Sequence, residues 1–117
     1  MITSTLEHEM PTYMTTFVYE AEGWRKLAKN PEDRSVPVKA LLEKLGGRLV
    51  SMYYMAGECD GFIIYEAPDA KASATVSIAA GLAGHIRSLK TCQLYTVAET
   101  MEVMGSAGKL AFPAPKG

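Results

Sequence analysis

A chain of 117 residues that is 48% apolar, 21% charged and of formal net charge −1 can build one buried core but is too short for two domains. The near-neutral balance argues against disorder and against nucleic acid as a partner, because Arg25 and Lys26 stand among Glu20, Glu22, Glu32 and Asp33 as a solvated face rather than a basic stripe. No run approaches the roughly 20 apolar residues of a membrane span, and the N-terminus lacks a secretion-signal pattern, so a cytoplasmic protein without a membrane partner is expected.

Residues 1–10, which include His8, mix polar types without periodicity and read as a loose arm before Pro11. Thr12 to Tyr19, rich in Thr, Tyr, Phe and Val, predicts a first strand. From Glu20 to Leu45 the apolar spacing turns helical, broken at Asn30-Pro31 and Val36-Pro37. A short lead-in turn followed by a main helix from about Pro37 is expected, ending at Gly46-Gly47. Arg48 to Met55 and Phe62 to Tyr65, joined across Gly57–Gly61, predict a hairpin. Asp69 is placed to cap a helix over Ala70 to Leu82, and Ile86 to Val97 reads as the last strand. Glu99 to Met104 suggests one short helix before a tail from Gly105 to Gly117. The order is β-α-β-β-α-β, an α+β domain over residues 11–104.

Simple alternation puts Tyr13, Phe17 and Tyr19 on one side of the first strand and Met14 and Val18 on the other. In the second strand it sets Leu49, Tyr53 and Met55 against Val50, Met52 and Tyr54. Apolar bulk on both faces exceeds what two helices can cover. At about 25 cal/mol per Å², covering the second face with an identical sheet would stabilise a homodimer, or a higher homo-oligomer, by several kcal/mol before association costs. The alternative is that these residues are scattered exposed apolars, common on any protein surface. Cys59 and Cys92 have no C-x-x-C spacing, indicate neither zinc site nor redox pair, and read as free buried thiols.

The segment Gly57-Glu58-Cys59-Asp60-Gly61-Phe62-Ile63-Ile64-Tyr65-Glu66-Ala67-Pro68-Asp69 resembles the GYD family, named for a Gly-x-Tyr-Asp turn. Met10-Pro11-Thr12-Tyr13, Leu45-Gly46-Gly47-Arg48-Leu49 and Gly84-His85-Ile86-Arg87 add to the likeness, which spans most of the chain. Cys59 stands where the family usually has its tyrosine. The resemblance implies a ferredoxin-like fold of the dimeric α/β-barrel type, with a four-stranded antiparallel sheet, and assigns no biochemical function. In its 4-1-3-2 strand order the two cysteines would lie roughly 9 to 10 Å apart, beyond the roughly 7 Å Cα separation of a disulfide.

His85, beside Arg87 at the mouth of the last strand, is the first candidate for chemistry, since histidine changes charge near neutral pH. The other reading is an exposed turn histidine. Arg87 suits a carboxylate or phosphate, or a surface acid. Asp60 either fixes the hairpin turn or serves as a general base. Tyr13, Tyr53 and Lys90 would orient a small aromatic or carbonyl ligand, unless the tyrosines are core residues. No metal set or phosphate loop emerges, and no cofactor is indicated. Two functions remain open: small-molecule binding or cofactor-independent catalysis in a pocket on the open sheet face of an oligomer, and a non-catalytic regulatory or assembly module.

Overall fold

The β-branched and aromatic run Thr12–Tyr19 forms strand β1, which sits inside the sheet and pairs antiparallel with a neighbour on each side. A computed structural model of the protein describes residues 10–117. After β1 come helices α1 (Ala21–Lys29) and α2 (Ser35–Lys44), strands β2 (Arg48–Tyr54) and β3 (Gly61–Glu66), helix α3 (Ala70–Leu82), strand β4 (Ile86–Leu94) and helix α4 (Val97–Gly108). The four strands make one antiparallel sheet in the order β2-β3-β1-β4, so the chain is α+β and ferredoxin-like. Of the N-terminal arm, only Met10 falls within the described residues.

The segment read as a short turn after β1 is a helix of nine residues. Trp24, Leu27 and Ala28 recur at helical spacing, and Pro31 lies beyond the last turn, where its missing N–H breaks no helical bond. α2 begins where the Asp33 carboxylate accepts from the backbone N–H and hydroxyl of Ser35, at 2.9 and 2.6 Å. It ends as glycine permits: Gly46 has φ +80°, and Gly47 N–H returns to the Leu42 carbonyl at 2.8 Å. Asp69 caps α3 by accepting from Ala72 N–H at 2.9 Å.

Helices α1, α2 and α3 pack on one face of the sheet, where Tyr13, Phe17, Ile63 and Tyr65 meet Leu42 and Val76. The other face carries Met14, Val18, Phe62 and Ile64, all only half-buried. Both outer strands contain a bulge. Val50 is the extra residue of β2, between the pairs Leu49↔Tyr65 and Ser51↔Ile64, and Arg87 is that of β4, between Ile86↔Tyr19 and Ser88↔Val18. The β2 bulge overturns simple alternation there. Leu49 and Met52 both pack on the core, while Tyr53 turns outward against Phe62 with ring centroids 5.7 Å apart.

The C-terminal helix runs twelve residues, past the expected stop at Gly105. Thr96 Oγ1 accepts from Glu99 N–H at 2.9 Å and the Glu99 carboxylate accepts from Thr96 N–H at 2.7 Å, a reciprocal box that satisfies two free donors. No residue of α4 is buried. The radius of gyration is 18.0 Å, against about 13 Å for a compact chain of this length; α4 and the exposed residues 109–117 both lie outside the packed core. Neither cysteine is a buried thiol: Cys59 is half-buried in the β2–β3 turn, and Cys92, paired with Met14 in the register, is exposed; both are free. Among the described residues no helix is long and apolar enough to cross a membrane.

Candidate functional site

Between the helix layer and the sheet lies a cavity of about 280 Å³. It opens on the helix-covered side of the sheet. Phe17, Leu27, Val38, Met52, Val76 and Leu89 form its apolar walls. On α1, Gly23, Lys26 and Leu27 face it together, as positions i, i+3 and i+4 of a helix must. Gly23 is the point of closest approach: a Cβ there would sit 3.0 Å from the His85 carbonyl oxygen and 3.3 Å from its Cβ. The same carbonyl accepts from Glu20 N–H at 2.8 Å, which fixes the start of α1 against the start of β4.

His85 lines the cavity, and its Nδ1 is buried without a hydrogen-bond partner among the described residues. A sealed ring nitrogen left unpaired costs about 1–3 kcal/mol, so it calls for a partner. Lys26, Arg34 and Glu32 stand at the rim, where Arg34 and Glu32 pair at 2.7 Å. Among the described residues no three His, Cys, Asp or Glu side chains gather as a metal requires.

Beneath the cavity runs a chain of hydroxyls that reading the sequence did not single out. Thr15 Oγ1 lies 3.1 Å from the Tyr65 hydroxyl and 2.7 Å from Thr91 Oγ1. Tyr65 continues to Ser73 Oγ at 2.7 Å and Thr91 to Ser77 Oγ at 3.2 Å. A hydroxyl can both donate and accept, so the chain links β1, β3, α3 and β4 from the buried Thr15 and Tyr65 out to the exposed Thr91. Its signal was present: Thr15 occupies the inward position between Tyr13 and Phe17, where a fully apolar strand face would carry Val or Ile.

The remaining sequence candidates lie elsewhere. Tyr13 is buried at the far end of the sheet, stacked on Tyr65 at 5.7 Å. Tyr53 is on the open face, and Arg87 is exposed in the β4 bulge. Asp60 is a tie: its Oδ2 accepts from Tyr19 N–H at 2.8 Å and from Trp24 Nε1 at 3.0 Å, while its own N–H reaches the Phe17 carbonyl at 2.9 Å. Lys90 is exposed, its carbonyl accepting from Thr16.

Asp60 thereby anchors an aromatic cluster at the cavity edge, in which Tyr19 meets Trp24 edge-on at 5.1 Å and its hydroxyl lies 3.0 Å from that of Tyr54. Burial, then the bond to Tyr54, pushes the Tyr19 phenol well above the ordinary 10.0 of tyrosine; burial raises Tyr13 in the same direction. A phenol that holds its proton more tightly when folded contributes stability that is fully present below about pH 10 and is lost as pH rises through the raised value. Alkaline unfolding should therefore release the Tyr19 phenolate signal together with loss of circular dichroism, and Tyr19→Phe should remove that late-ionising component from the absorbance titration. Ionisation of Tyr19 at the ordinary tyrosine value while the fold stays intact would contradict the assignment.

Comparison with known proteins adds the following. The profile of the GYD domain matches residues 13–104. A search of curated proteins returns no match. Among solved structures, an uncharacterized NIPSNAP-like domain protein from Burkholderia xenovorans is similar over 77% of this chain and 87% of that one, at 13% identity and a TM-score of 0.48.

Proposed function

This chain belongs to the GYD domain family, and from that premise we propose that it binds a small molecule in the cavity between its helices and its sheet, with His85 placed to exchange a proton with what is bound. The observation that carries this reading is the buried, unpartnered His85 Nδ1 on the wall of an otherwise apolar cavity. At about 280 Å³ the cavity lies just below the usual range of ligand sites, roughly 300–1,000 Å³, and shares their pattern of apolar walls with few polar groups. Native mass spectrometry of the protein as purified tests it directly. Subunits carrying a stoichiometric extra mass support the reading; bare subunits, with no added mass after incubation with a mixture of small organic molecules, overturn it.

A second reading, a homo-oligomeric assembly module, is favoured by a separate observation. The sheet face bearing Met14, Val18, Phe62 and Ile64 is left half-exposed, and α4 presents Met101, Val103 and Met104 to solvent. On this reading the protein is a dimer or larger at micromolar concentration. Ile64→Lys, at the middle of that face, should weaken association by about 100-fold or more, since both copies would bury a like charge. Light scattering checks it, and a wild-type monomer at that concentration removes the assembly reading.

A further inference from the structure

The geometry points to a small apolar monocarboxylate as the cavity's ligand, its acid group held between Lys26 and His85 and its hydrocarbon or aromatic body lying against Phe17, Leu27, Met52 and Leu89. This inference rests on the binding reading above and narrows it to a chemical class.

The polar groups around the cavity divide sharply by whether they are already satisfied. Thr15 and Ser77 are both bonded to Thr91. The Tyr19 hydroxyl is bonded to that of Tyr54. At the rim, Arg34 is neutralised by Glu32 at 2.7 Å. His85 Nδ1, sealed from solvent, and the exposed Lys26 ammonium are without a partner among the described residues. They belong to elements tied together, because Glu20 N–H bonds the His85 carbonyl and Gly23, one turn before Lys26, packs directly on His85.

An ammonium can only donate, and His85 Nδ1, on the same lining, donates in the tautomer that carries its proton there, so a group complementary to both is an acceptor carrying negative charge. A cationic ligand would meet Lys26 with no free carboxylate to offset it, since Glu32 is engaged by Arg34. A neutral one would leave the rim charge unanswered. Beyond this end every wall is apolar or internally bonded, so the rest of the ligand needs no polar atoms and would lose affinity by burying them. A phosphate monoester, with more charge and more acceptors, would leave oxygens unpaired here.

The test is a two-dimensional NMR titration of the full chain with three probes of equal length: octanoate, octanamide and octylammonium, each below its self-association range. Octanoate is expected to give saturable shifts at residues lining the cavity and to bind about tenfold or more tightly than octanamide, the discrimination one charge-assisted pair supplies. Lys26→Met, at an exposed position, should bring octanoate to within about threefold of octanamide. Equal binding of acid and amide, tighter binding of the ammonium, or a preference that survives Lys26→Met overturns the carboxylate inference while the cavity remains a binding site. Absence of saturable shifts at the cavity with all three probes overturns both.

Discussion

Gly61→Ala is expected to cost about 3 kcal/mol of stability, a fall in Tm on the order of 10–20 °C for a domain of this size. Gly61 is the buried first residue of β3, paired with Phe17 on one side and Tyr54 on the other. A Cβ there would run into the Tyr53 carbonyl oxygen and lie 2.6 Å from Phe17 Cζ. Phe17 lies across the space that glycine leaves, and its ring meets Tyr54 edge-on at 5.8 Å. To admit a methyl group the ring and the β2 backbone must both move, which disturbs the wall of the cavity as well as the hairpin. Gly81→Ala is the control: it lies in α3 with nothing within 4 Å of the added carbon and no positive φ. It should stabilise by about 0.5–1 kcal/mol. Urea unfolding of the two variants checks both signs, and a Gly61→Ala protein as stable as wild type would mean that the β2–β3 register described here is wrong.

Leu42→Ala should cost about 2–5 kcal/mol. Leu42 has no exposed surface and is the residue through which α2 enters the core shared by Tyr13, Ile63 and Tyr65. Its carbonyl also receives Gly47 N–H at the helix end, so the surrounding backbone is held and collapses little around the void. Leu41, its neighbour, is half-buried and lines the cavity. It already borders empty space on one side, so Leu41→Ala loses fewer contacts and should cost markedly less. The measurement is the shift in urea midpoint at constant slope for each variant. Equal losses at the two positions would mean that the cavity is filled or collapsed in solution.

What the sequence disclosed followed from strong local signals. Residues 12–19 carried strand composition on both faces, Asp69 announced the start of α3, and Gly46, with its positive φ, lies where a helix was expected to stop. Pro31 misled because a proline just past a helix and a proline breaking one leave the same mark in a chain of letters. Gly105 misled in a similar way, since a glycine inside a helix weakens it without ending it, and α4 runs on to Gly108. The bulges were invisible: alternation assumes one residue per partner, and the pairing that inserts Val50 and Arg87 depends on the neighbouring strands. That is also why Arg87 and His85, two residues apart, do not share a site. His85 was legible from its type and its place before a strand. Lys26 and the hydroxyl chain were not, because α1 was read as a turn and because Thr15, Tyr65, Ser73 and Thr91 come together only through the sheet.

The placement of the bulges decides how copies of this chain can add to one another. A sheet with two flat, unpaired outer strands can extend in its own plane, each copy lending a strand to the next, which is the route to open-ended fibres. Here the strands that would template such growth, β2 and β4, are the ones interrupted, at Val50 and at Arg87, the latter with an exposed charge at the break. Lateral growth is blunted at both margins, while the face bearing Met14, Val18, Phe62 and Ile64 lies between them. Edge-to-edge addition of a further strand is thereby disfavoured at both margins of the sheet.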